Sequence, residues 1–330
     1  MPEWLYEAGI GECRAALIEN DTIIEAHIEP ADTGLRVGEV IEARLTEILI
    51  PARRGIVTAA GGEQALLEPL PKGLTQGGLV TVEIVREAIP ERGVVKRAKA
   101  RVWTEAARES HSTLLARITA TGHPIRHLTP YDSDALEAAG WSEALEQGAS
   151  GIIPFEGGSL RISLTPAMTL IDVDGHLPPA ALALASSKAA AAAIRCFNIT
   201  GSIGIDFPTL GNKAERLATA DAFDAVLPLP FERTAINGFG FLQIIRPRYR
   251  ASVCEQLQHA RIPTAARALL RQAQRSGIIG SAAITAHPSV IAHLTAHPDW
   301  IETLATQRGG AISLQADASL AISAGYVSKA

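Results

Sequence analysis

Residues 169–175 read TLIDVDG. An apolar run, read as a strand, ends in Asp172, Val173 and Asp174 and turns at Gly175. Upstream, GIIPFEGGSLRISLTP (151–166) reads as a hairpin turned at Glu156-Gly157-Gly158. Downstream, PPAALALASSKAAAAAIRCFN (178–198) reads as a helix with proline near its start, where a missing N–H costs nothing. GSIGIDFP (201–208) follows as a strand stopped by Pro208. Strand, helix and strand in this order predict an α/β layer with a parallel crossover. Such a crossover sets the ends of two strands side by side. Asp172 and Asp206, 34 residues apart, are therefore expected to be neighbours. NKAERLATADAFDAVL (212–227) continues as a helix, and TAINGFGFLQIIRPR (234–248) as a strand passage.

The flanks read differently. ECRAALIENDTIIEAHIEP (12–30) holds two alternating runs around Glu19-Asn20-Asp21, a predicted hairpin. Short apolar runs broken by Gly and Pro continue to residue 98, the spacing of a small β-barrel. Residues 99–150 read as helical. RVWTEAARESHSTLLARITATG (101–122) has helical apolar spacing. In 130–148, Ser133 or Asp132 offers an N-cap and Gly148 a stop. Residues 251–330 read as a compact α/β piece ending in a strand pair. The predicted organisation is thus an N-terminal β segment (1–37), a barrel (38–98), a helical connector (99–124), an α/β domain (125–250) and a small C-terminal α/β domain (251–330).

The totals bound the function. The chain has 330 residues, 47% of them apolar, enough for two or three domains. Net charge is −5, so overall charge does not mark a nucleic-acid binder. Aromatics are 5%, so base-stacking platforms are sparse. Cys13, Cys196 and Cys254 are scattered, which argues against a disulfide framework or a zinc site. The N-terminus lacks the basic-then-apolar pattern of a signal peptide, and no run approaches a membrane span. A cytoplasmic protein without membrane association is expected.

Asp172 and Asp174 admit four readings. Asp and Gly after a strand are ordinary turn residues. A calcium loop needs its Gly at the sixth position, whereas Gly175 is fourth counting from Asp172. LIDVDGHL (170–177) resembles the opening motif of haloacid-dehalogenase phosphatases, with Asp172 as nucleophile and Asp174 as general acid. His176 stands where that family has Thr, and no downstream Lys and paired-Asp motif follows. The fourth reading joins several stretches. GGSLRISLTPAMTLIDVD (157–174), GSIGIDFP and GFGFLQIIRPRYR (238–250) together resemble the catalytic core of the ribonuclease E/G family. Residues 44–70 and 80–93 are similar to its RNA-binding OB-fold, and residues 265–330 to the small C-terminal domain of its shorter members.

The resemblance implies a fold and a chemistry. The fold is an OB-fold barrel, an α/β catalytic core with adjacent Asp-bearing strands and a small C-terminal α/β domain. The chemistry is magnesium-dependent (Mg2+) endonucleolytic hydrolysis of single-stranded RNA. Asp172 and Asp206 take the place of the family's metal ligands, and Asp174, where the family has Asn, adds a third oxygen. Arg92, Lys96, Arg97, Lys99, Arg246 and Arg248 are the implied RNA contacts; Arg86 and Arg101 share the first cluster. Several positions depart from the pattern. Ile56 and Leu66 replace Phe, Gln64 replaces His, and Gly238 replaces the Arg before the Phe-Gly pair. Residues 99–150 leave no room for the family's sensor of RNA 5′ ends. The two-cysteine zinc link is absent, so any homo-oligomer forms without it. A catalytically decayed RNA-binding paralogue is the alternative.

Overall fold

The computed structural model describes residues 1–104 and 113–330. The chain is a mixed α/β protein that divides into two compact units, both discontinuous in sequence. One comprises residues 1–32, 118–144 and 256–330; the other comprises 33–117 and 145–255. The predicted N-terminal segment at 1–37 is therefore no separate piece, because its strands build a unit with the C-terminal residues. No helix among the described residues is long and apolar enough to cross a membrane.

In the first unit, a four-stranded sheet runs in the order Ile125–Leu128, Glu3–Ala8, Glu12–Glu19 and Thr22–Pro30. The predicted hairpin is present. Asn20 and Asp21 both adopt positive φ, the pair of left-handed residues that matches strand twist in a two-residue loop. A second sheet has Ala282–Ala286 at its centre, parallel to Ile312–Ala316 and antiparallel to Tyr326–Lys329. The last two strands, expected as a pair, are instead separated by this central strand. The five consecutive residues Ala282–Ala286 are all buried, and a strand covered on both faces takes the middle. Leu269, Leu270, Ile284, Val290, Leu294, Trp300 and Leu304 form the core here, with Ile10 from the turn between the first two N-terminal strands. The cap before helix Ala135–Ala138 is Asp134, not Ser133 or Asp132, and it accepts from the Glu137 N–H at 3.1 Å.

In the second unit, strands Val40–Ile50, Arg54–Ala59, Gln64–Leu67, Leu79–Arg86 and Ala98–Val102 close a five-stranded barrel. Ala98–Val102 closes it by pairing parallel to Gln64–Leu67 and antiparallel to Leu79–Arg86. This arrangement is compatible with an OB-like barrel. Inward-facing Leu45, Val57, Leu67, Val82, Ile84, Ala98 and Ala100 fill it. The predicted helix over 101–122 thus starts too early: residues 98–102 alternate as a strand, because Ala98 and Ala100 supply the inward positions the barrel needs. A helix covers Leu114–Thr119, and residues 105–112 of the predicted helix lie outside the described residues.

The same unit carries a six-stranded mixed sheet. Its order is Ile152–Phe155, Gly158–Leu164, Thr169–Gly175, Gly201–Asp206, Phe241–Arg246 and Glu232–Arg233. Helix Pro179–Cys196 is the crossover and packs on the first three of these strands. Its buried positions are mostly Ala and Ser, so backbones approach closely, and the Ser187 hydroxyl reaches the Thr219 carbonyl of helix Lys213–Asp224 at 2.6 Å. Leu160, Ile162, Ile171, Ile203, Ile205, Leu242 and Ile244 are buried. Strand alternation sends their neighbours to the opposite face.

Candidate active site

That opposite face is where the carboxylates stand. Asp172, Asp174 and Asp206 are exposed, while Ile171 and Ile205 beside them are buried. The crossover is parallel, and Asp172 pairs in register with Asp206. Neighbouring strands run about 4.8 Å apart, so the two carboxylates project side by side from the ends of adjacent strands. Asp174 shares their face but lies two residues further along, opposite Ser159. Among the described residues, none of the three carboxylates accepts a side-chain hydrogen bond or an ion pair.

This donor set suits magnesium. The ion prefers one or two carboxylates and keeps several waters, and Asp172 and Asp206 offer hard oxygens that no neighbour among the described residues occupies. Asp174 does not join them in a cluster. The one group of three or more metal-ligand side chains among the described residues lies elsewhere, at Asp32, His293 and His297.

The face has further parts. Arg161, exposed, sits directly across from Asp172 on the antiparallel side and forms no ion pair among the described residues. Phe241 pairs with Asp206, and its ring lies over Gly204. A Cβ at Gly204 would stand 2.5 Å from that ring, so glycine leaves the room for it. The loop before Phe241 is set by Asn237, whose side-chain oxygen accepts from the N–H groups of Phe239 (2.9 Å) and Phe241 (3.0 Å). Gly240 holds φ at +92° and accepts from the Phe207 N–H at 3.1 Å. A Cβ there would be 2.2 Å from the Phe207 carbonyl oxygen, so only glycine fits. The loop thereby holds Phe239, 84% exposed, beside the end of the Asp206 strand.

The predicted basic contacts are mostly engaged within the protein. Lys96 pairs with Glu91 at 3.3 Å, and Lys99 with Glu68 at 2.9 Å. Arg97 donates to Gln64 at 3.2 Å, and Arg101 pairs with Glu83. Arg246 donates to the Ile199 carbonyl at 2.8 Å and the Ile194 carbonyl at 3.4 Å, near the end of the crossover helix. Arg248 pairs with Glu255. Arg92, in the turn between Ile89–Glu91 and Val94–Lys96, is exposed without a partner among the described residues. Lys99 and then Arg54 hold the half-buried Glu68 carboxyl down to about 2 by hydrogen bonds and charge. It therefore stays ionised at working pH. Cys254 is buried, which pushes its thiol up to about 12 and leaves a poor thiolate donor.

No protein-family model matches the chain, and no curated protein matches its sequence. Sequence reasoning passed over Arg161 and Phe239. The signal for Arg161 was register: once the turn at residues 165–168 is fixed, counting back along GSLRISL from Leu164 sets Arg161 against Asp172. Phe239 carried a signal in the Gly-Phe-Gly run, where an aromatic between turn glycines has little to pack on.

Proposed function

We propose that the chain is a short, divergent relative of the ribonuclease E/G family that cuts single-stranded RNA with magnesium. The observation that carries this reading is the in-register pairing of Asp172 with Asp206 on an open sheet face. The barrel, read as an OB-fold, supports it: the strand corresponding to the third in that fold runs parallel to the fifth.

In this reading Asp172 and Asp206 hold the cation. Bound there, magnesium supplies Lewis-acid stabilisation of the phosphate and a water of lowered pKa. Arg161 faces the pair from the next strand and neutralises charge on the phosphate. Phe239 stacks a base beside the scissile bond, an interaction every base can make. Its truncation, Phe239→Ala, is expected to weaken RNA binding about tenfold, within the ~1–3 kcal/mol of one base–aromatic stack. Fluorescence anisotropy with a labelled oligonucleotide measures it, and unchanged affinity removes Phe239 from the interface.

A third carboxylate beside the pair, Asp174, favours a second reading, an RNA-binding paralogue without catalysis. Lys99 and Arg54 share Glu68, which mutes the barrel's positive charge. Asp174 adds negative charge beside the pair. Glu68→Gln is expected to tighten RNA binding and to steepen the dependence of log K on log salt by about 0.7 per phosphate newly contacted. An unchanged slope would exclude Lys99 and Arg54 from the RNA path.

Incubation of an AU-rich single-stranded RNA with the protein, with magnesium or with EDTA, tests the main reading. Internal cuts that require magnesium support it. Binding without cutting favours the paralogue. Hydrolysis of an aryl phosphate with RNA neither cut nor bound overturns both and returns the phosphatase reading.

A further inference from the structure

We propose that Asp32, His293 and His297 form a binding site for a divalent transition-metal cation of the zinc class. Their donor atoms all lie within 4.8 Å of one another. A tetrahedral centre with ligand bonds of about 2.1 Å spaces its donors about 3.4 Å apart, so small side-chain rotations close the set.

Each donor is already oriented. His293 sits in helix Pro288–Thr295, and His297 caps helix Pro298–Arg308. A spacing of four residues brings the rings to one side, with centroids 4.6 Å apart. His297 stacks on Trp300 at 3.9 Å, with the rings nearly parallel at 16°. Its Nδ1 lies 2.8 Å from the His293 carbonyl oxygen. A proton on Nδ1 makes that hydrogen bond and leaves the Nε2 lone pair free. Metal-binding histidines use this arrangement, in which a backbone carbonyl fixes the tautomer. Asp32 Oδ1 accepts from Arg267 at 3.2 Å, which turns Oδ2 toward His293.

His293 Nε2 is the observation that asks for a ligand. The atom is buried without a hydrogen-bond partner among the described residues. It lies 3.9 Å from Asp32 Oδ2, too far for a hydrogen bond. A buried polar atom without a partner is costly, and a cation between the two groups would satisfy both. Packing alone explains the His297–Trp300 stack but not this gap. Two imidazoles and one carboxylate favour zinc, cobalt or nickel over magnesium or calcium. Three protein donors leave a coordination position open for water or substrate. Arg267 beside Asp32 adds positive charge, so the affinity falls short of a structural zinc centre.

The test is a titration of the tag-free full chain, stripped of metal with a chelator, with zinc chloride alone. Calorimetry is expected to show one zinc per chain. His293→Gln and His297→Gln are each expected to lower the affinity at least tenfold, and Asp32→Asn to lower it as well. A Cys13→Ser/Cys196→Ser variant is expected to bind like the wild type, which separates this site from thiol binding. Circular dichroism checks the fold of each variant. Should a histidine variant fail to fold, exposed Asp32→Asn carries the test. Absence of binding by the wild type, or equal binding by all the site variants, overturns the proposal.

Discussion

Asp172→Asn and Asp206→Asn are each expected to reduce magnesium-dependent RNA cleavage by on the order of 10²–10³-fold, the scale of losing one preorganised electrostatic contact to a developing charge. The double variant is expected to fall little further, because residues that act as one unit are far from additive. Stability should move the other way. Both carboxylates are exposed and accept no side-chain partner among the described residues. They stand in register on adjacent strands, where like charges repel. Each amide therefore leaves the melting temperature unchanged or slightly higher. Magnesium adds a second readout. A cation that binds the native state raises the melting temperature by mass action, so the wild type should gain with added magnesium and the variants should not. Single-turnover cleavage of a labelled oligonucleotide and a thermal scan with and without magnesium measure the two effects. Full cleavage by either variant would dismiss the pair as the catalytic centre. A protein that never cuts but still shows the magnesium shift would retain the metal site and lose the nuclease.

What the sequence made visible follows from local rules. A parallel crossover requires strand, helix and strand, and TLIDVDG, the Ala-rich helix and GSIGIDFP each announce themselves by pattern. The side-by-side placement of Asp172 and Asp206 is then forced by connectivity. Long-range pairing was not visible. Residues 1–32 join residues 256–330 in one unit, and nothing in either segment names the other. The partners of the basic cluster were hidden for the same reason. Lys99 looks like a phosphate contact until Glu68, remote in sequence, is found 2.9 Å away. Arg246 looks exposed until the last turn of the crossover helix and the loop after it each present a carbonyl to it. Charge read along a chain counts cations and omits their partners, which only the closed barrel and the folded sheet supply. His293 and His297 were legible as a four-residue spacing, but their third donor, Asp32, comes from the other end of the chain.

Glu7→Gln carries the largest expected effect on stability. Glu7 is 2% exposed and holds three guanidiniums. Arg14 reaches it at 2.7 Å and Arg271 at 2.8 Å, and Arg275 closes the group at 3.0 Å. The network extends through Glu12, which pairs with Arg14 and Arg267, to Asp32, and through Arg271 to Asp134. Four arginines thus face four carboxylates, and the charges balance. Glutamine keeps the shape and removes one negative charge, which leaves buried guanidiniums uncompensated. Breaking one partner of a buried pair costs about 3–5 kcal/mol, or a fall in melting temperature on the order of 10 °C. The pH dependence has a definite sign. Burial alone would raise the Glu7 carboxyl, but Arg14, Arg271 and Arg275 outweigh it and hold it below its ordinary 4.5. A depressed carboxylate contributes its full stability above the unfolded value and loses it as pH falls through the folded value. The gap between wild type and Glu7→Gln should therefore be widest at neutral pH and shrink below about pH 4.5. Denaturant unfolding at stepped pH values reads both. Equal stability at neutral pH would mean that desolvation of the arginines already cancels what Glu7 contributes, and that the network fixes the geometry of this unit without stabilising it.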